Sequence, residues 1–235
     1  AQGKNMTSTA PMTKKEQADF QIKSGLAKLL AMENISVQHM PGASTAAFDI
    51  KNRQLFLPVW QNISNDLYDL LVVHEVGHAL NTPAKAWMDA IKEIAKRSHG
   101  DKSTPRAEKA IKLFMNVVED ARIDKLQKRK YPGSKKNYLA GYKELLERDF
   151  FGIKNKNINA LTFIDRANIY FKGGLQNLNI QFTPEERELL ARMDKLETFQ
   201  DVIELTEEIY ELSKTNSKTI TVTSDFEEGD DEDGE

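Results

Sequence analysis

The chain has no cysteine in its 235 residues. That excludes disulfides, thiolate metal ligands and a cysteine nucleophile together, and it fits a reducing compartment. A cytoplasmic location is therefore expected. Long hydrophobic runs are lacking as well: none approaches the ~18 residues that cross a bilayer, so no membrane association is expected. The opening AQGKNMTSTAPMTKK has no apolar segment of the secretory kind. Histidine is scarce, with four in the chain. Two of them at a meaningful spacing are correspondingly informative.

The body also lacks a strong charge of one sign. The net charge is -3, yet residues 225–235 (DFEEGDDEDGE) alone hold eight carboxylates and no basic residue. What remains carries only about five positive charges, too mild an excess to expect a nucleic-acid partner. The acidic stretch reads as a solvated tail, with binding to a basic partner as its alternative role.

What is present suits one helix-rich domain with a small sheet. A hydrophobic fraction of 40% is enough for a packed core at this length. We expect a disordered leader at 1–13, a domain at 14–222 and the acidic tail at 223–235. Ala18, Ile22, Leu26, Leu29 and Leu30 recur at helical spacing between Lys14 and Met32. Two β-like runs, 46–50 and 54–57, read as an antiparallel hairpin across Lys51-Asn52-Arg53, with Pro58 making the second an edge strand or ending it. Asn65-Asp66 can cap a helix from Leu67 to about Leu80. Further helices are expected at 84–97, 105–130, 138–150 and 161–171. A last long one opens on the capping box Thr183–Glu186.

The chemistry lies in His74-Glu75-Val76-Gly77-His78. On a helix of 3.6 residues per turn, His74 and His78 project from one face, where both imidazoles can reach one zinc ion. Zinc lowers the pKa of a bound water, and Glu75, one step around the helix, is placed to take its proton and return it to a leaving amine. Leu67, Leu70, Leu71, Val72 and Val73 would bury this helix. Gly77 costs roughly 1 kcal/mol against alanine in a helix, so a close approach by another element is expected there.

A catalytic zinc ordinarily keeps a third protein ligand. His39 and His99 read as loop residues. The segment from Asn116 to Asp124 sets acidic groups within an apolar stretch, where a carboxylate needs a cationic partner. Glu119 is the preferred ligand and Asp120 its rival, with Asp124 four residues on from Asp120 able to orient a histidine. Tyr131, Tyr138, Tyr142 and Arg122 are candidates to stabilise an oxyanion, Tyr138 slightly ahead.

The pentad, followed by an acidic helix carrying Glu119, resembles the gluzincin branch of HExxH zinc peptidases. The upstream hairpin is similar to the edge-strand region of zincin domains. The resemblance implies an α+β, mainly α fold of zincin type and zinc-dependent hydrolysis of a protein or peptide substrate. It implies metal ligation by His74, His78 and Glu119, with Glu75 as the catalytic base and acid. The stretch EDARID…YPG also resembles segments of proteins that work with MoxR-type AAA ATPases and carry a von Willebrand A domain. That likeness implies such a partner and a second possibility, a latent or regulatory metal-binding module. No DxSxS motif of an A domain occurs in the chain; the acidic tail would then begin a linker towards one. The third alternative is a non-catalytic helical interaction protein.

Overall fold

The computed structural model describes residues 13, 14, 26, 27, 30–32, 35–176 and 178–215. The expected leader apart from Thr13, most of the helix expected at 14–32, and the acidic tail lie outside the described residues. Three strands come first: β1 (Ser36–Met40), β2 (Ala47–Asp49) and β3 (Gln54–Pro58). The expected hairpin is β2–β3, antiparallel, with Ala47 opposite Phe56 and Phe48 opposite Leu55. Its turn is tied by the Asp49 carboxylate, which accepts from the Asn52 backbone N–H at 3.0 Å.

The sheet departs from expectation on the other side. β1 pairs in parallel with β3, so the order is β1-β3-β2 and the sheet is mixed rather than antiparallel. β3 is therefore central, not an edge. Pro58 is tolerated because it occupies the last paired position of the strand, opposite Met40. No residue of β1 is buried, so its sequence carries none of the apolar alternation by which a strand is read. His39, expected in a loop, lies in this strand.

Seven α-helices follow among the described residues: α1 (Asn65–Asn81), α2 (Ala84–His99), α3 (Pro105–Lys130), α4 (Lys135–Glu147), α5 (Phe163–Gly173), α6 (Pro184–Asp194) and α7 (Phe199–Ser213). Ser64, rather than Asn65 or Asp66, caps α1, its hydroxyl accepting from the Leu67 N–H. Leu67, Leu70, Leu71, Val72, Val73 and Val76 are all buried, as suits a helix surrounded by protein. α3 begins and ends where expected, with Thr104 as cap and Pro105 in the first turn. The Thr183–Glu186 capping box opens α6. The single long helix expected beyond it is two, because Thr198 and Asp201 form a second capping box that restarts the chain as α7.

The apolar side chains form two clusters. One gathers the sheet, α1 and α4; the other is made by α2, α3, α5, α6 and α7. α1 and α3 meet along the seam between them. Gly77 makes that approach possible: a Cβ there would stand 2.4 Å from Ile123 Cγ2 and 2.8 Å from Gln127 Cγ. Gln127 completes the contact by donating from its side-chain amide to the Val73 carbonyl at 2.7 Å. Among the described residues, no helix is long and apolar enough to cross a membrane.

Candidate metal centre

The polar groups of the sequence pentad lie on this seam, sealed from solvent. His74 is 0% exposed, Glu75 2%, His78 3% and Asp120 1%. Ile123 and Gln127 of α3 fit against Gly77, and the same helical stripe, continued back by three and seven residues, brings Asp120 opposite the two imidazoles. His74 Nε2 and His78 Nε2 are 3.2 Å apart. Asp120 Oδ1 lies 3.1 Å from the first and 3.0 Å from the second. These three side chains are the group among the described residues with metal-ligand spacing.

The hydrogen bonds on the far side of each ring fix which nitrogen is left for the centre. His74 Nδ1 is 2.7 Å from Asp124 Oδ1, which can only accept. His78 Nδ1 is 3.0 Å from Thr82 Oγ1, and that hydroxyl spends its own proton on Glu119 Oε2 at 2.9 Å. Both Nδ1 atoms must therefore donate, and both Nε2 atoms turn lone pairs towards each other and towards a carboxylate oxygen. Three acceptors facing one point are satisfied by a proton shared among them or by a cation in its place. The spacing suits zinc: ligands at about 2.0–2.1 Å in a tetrahedron stand about 3.3 Å from one another.

The electrostatics agree. Burial works to lower the pKa of His74, but Asp124 and Asp120 outweigh it and hold the ring well above its ordinary value. His78 is raised as well, burial and the His74 charge being overcome by Asp120 and Glu75. Burial would raise Asp120, yet Lys172 and His74 bring it well below the usual carboxylate range. Asp124 is lowered, against burial, chiefly by His74. A proton on the imidazole pair thus stands where a metal cation fits.

Glu119, the preferred third ligand from the sequence, is not part of this triangle. It is 0% exposed, and Arg122 holds it with Nε at 2.6 Å from Oε1 and Nη2 at 2.9 Å from Oε2. Arg122 also donates to the carbonyls of Asn81 and Glu197. Glu119 and Arg122 therefore lock the end of α1 to α3, and Glu119 reaches the centre only through Thr82 and His78. Asp120, its rival, is the carboxylate that stands with the two imidazoles.

No family model, curated protein or solved structure matches the chain. The site must be read from its own geometry.

The remaining sequence candidates separate clearly. Tyr131 donates to the Leu30 carbonyl, and Arg122 is engaged as described. Tyr142 donates to Asp124 Oδ2 at 2.5 Å, so it braces the carboxylate that braces His74. Tyr138 is buried with its hydroxyl lacking a hydrogen bond of ordinary geometry. Burial first, then Asp124, Asp120 and Glu75, push that hydroxyl well above its ordinary pKa. It is a neutral donor beside the centre, the property required of an oxyanion partner. His39 and His99 are elsewhere, against the hydroxyls of Tyr68 and Tyr210.

Two members of the site were not anticipated. Thr82 carried a signal, since it lies four residues after His78 and so next to it at the helix end. Lys172 carried none: on α5, 52 residues from Asp120, its buried ammonium donates to Asp120 Oδ2 at 2.9 Å. It leaves Oδ1 for the centre and offsets the second carboxylate charge.

Proposed function

We propose that the chain is a zinc-dependent hydrolase of peptide bonds in a protein or peptide substrate. The observation that carries this reading is the convergence of His74 Nε2, His78 Nε2 and Asp120 Oδ1 with both Nδ1 protons already spent outward. Two neutral imidazoles and one carboxylate are a zinc donor set. When bound, zinc would supply Lewis acidity and bring a water towards neutrality in pKa.

The chain's own residues supply the rest. Glu75 follows His74 directly on α1 and lies close enough to influence both His78 and Tyr138. It serves as the base that takes the proton of the attacking water and as the acid that returns it to the leaving amine. Tyr138 donates to the oxygen on which negative charge grows. Asp124 and Tyr142 hold the His74 ring, Thr82 and Glu119 the His78 ring, and Lys172 occupies Asp120 Oδ2, so that Oδ1 would be the atom offered to the ion. Such outer partners commonly set the affinity of a metal site.

The burial of every one of these groups favours a second reading, that of a latent module. A peptide chain needs an open approach to the centre, whereas Glu75 and His78 are 2% and 3% exposed. In this form the centre binds its ion and waits on a rearrangement, for which an AAA ATPase or a von Willebrand A protein would be the partner. A cysteine-free chain is suited to the cytoplasm, where either partner would meet it.

One experiment divides these readings from a metal-free interaction protein. The purified chain is loaded with one equivalent of zinc and incubated with a peptide library, alone and with candidate partners; products are identified by mass spectrometry. Cleavage lost in Glu75→Gln, with zinc binding retained, is expected. Zinc bound tightly but cleavage absent in every context leaves only the latent module, and a chain that binds no zinc loses both.

A further inference from the structure

Behind the metal centre lies a second feature that hydrolysis does not use. A cavity of about 470 Å³ opens between α3, α5, α6 and the start of α4. Lys125, Lys128, Arg129, Lys135 and Lys172 line it, against two carboxylates, Asp124 and Asp194. Lys125 and Arg129 are bridged by Glu197 at the rim. Lys128 and Lys135 form no ion pair among the described residues; Lys128 lies over the Tyr138 ring at 4.9 Å. Asn168, 2% exposed, also lines it, and its amide oxygen has no hydrogen-bond partner. A carboxamide can turn either end to a ligand. Lys128 and Lys135, with the unpartnered Asn168 amide, are the groups of this lining left to meet a carboxylate from outside.

The chain itself can supply such groups. Residues 225–235 carry eight carboxylates without a single base, and the described chain stops at residue 215, after α7. The root of that segment is fixed: Tyr210 packs on Phe114 of α3 at 5.5 Å between ring centroids, and Lys214 donates to Ser98 of α2. From Phe114 to Lys128, α3 advances about 21 Å. The ten residues between 215 and 225 reach up to about 35 Å when extended. The acidic segment can therefore return along α3 to the cavity.

We infer that the acidic segment 225–235 docks in cis at the mouth of this cavity, on Lys125, Lys128 and Lys135. The inference is independent of hydrolysis and stands or falls by charge and reach.

Zero-length carbodiimide coupling of the full chain tests it, because it joins only carboxylates and lysines in contact. Mixing isotope-labelled with unlabelled chains separates links within one molecule from links between two. Links from 225–235 to Lys125, Lys128 and Lys135 within one molecule are expected to dominate over those to Lys92, Lys96 and Lys109, which lie on the exposed faces of α2 and the start of α3, where the segment is rooted. The doubly reversed variant Lys128→Glu/Lys135→Glu, checked for an unchanged melting curve, should show roughly tenfold fewer links to Lys125, as should the parent in high salt. Should the reversed variant unfold, the salt series on the parent chain decides alone. Links spread evenly over all exposed lysines, links only between molecules, or links indifferent to charge reversal and salt would each overturn the docking.

Discussion

Glu119 and Asp120 are neighbours on α3, both buried, and they face different regions. On the Asp120 side, two imidazoles, Asp124, Tyr142 and Lys172 surround a point that attracts a cation. On the Glu119 side a guanidinium is already in place, held at two oxygens and two carbonyls. One region holds its cation as a side chain, and the other has the spacing that could hold an ion. A helix turns about 100° per residue, so a single step along α3 separates a structural clamp from a candidate ligand. The lesson is that a buried carboxylate declares a need for positive charge, while its neighbours decide whether a side chain or an ion meets it.

Exchanging the fates of the two residues gives the largest expected effects. Asp120→Asn should weaken zinc binding by at least about a hundredfold in chelator competition, since a ligand and its charge are lost together. Glu119→Gln should keep zinc within a few-fold yet lose about 3–5 kcal/mol of stability in a denaturant melt, because the Arg122 guanidinium is left buried without a counter-charge. If Glu119→Gln abolished binding while Asp120→Asn kept it, the assignment of the two sides would be reversed. Next in size, Asp124→Asn should cost about 10–100-fold in zinc affinity with the fold intact, through the orientation of His74.

The acidity of the Asp120 region sharpens the comparison further. His74 has a raised pKa in the folded chain without metal, so its contribution to stability is complete below about pH 6.5 and is lost as pH rises through the raised value. Asp120 and Asp124 are lowered. Their contribution is complete above about pH 3.9 and is lost as pH falls through the lower folded values. The metal-free chain should thus show a melting temperature that declines on both sides. Zinc should remove the alkaline decline, because it takes the place of the proton and binds more tightly as pH rises. Smallest of all, Gly77→Ala should cost about 1–3 kcal/mol by forcing Ile123 and Gln127 away, and it should loosen both regions equally.

The parts legible in the sequence were those set by periodicity. His74 and His78 had to share a face once their helix was granted, and the capping residues and the apolar run before the pentad granted it. The mainly helical class, the β2–β3 hairpin, α3 from Pro105 to Lys130 and the Thr183 capping box followed from local patterns in the same way. The choice between Glu119 and Asp120 did not, because it depends on the rotation of α3 about its axis. That rotation is set by Ile123 and Gln127 fitting against Gly77, a contact between segments some 50 residues apart in the chain. β1 escaped notice because none of its residues is buried and its partner is remote. The break before α7 was written in Thr198 and Asp201, but the apolar spacing on either side masked it. Lys172 reaches the centre only through the packing of α5, which no local pattern announces.

The location of the proposed ligands on a seam between two apolar cores has a kinetic consequence. With His74 fully enclosed and its partners nearly so, an ion held there could not come or go by diffusion alone; α1 and α3 would have to part first. Exchange would then run at the rate of that breathing motion. Extraction by a chelator should proceed at a speed that stops rising with chelator concentration, and a substitution that tightens the seam should slow it without touching a ligand.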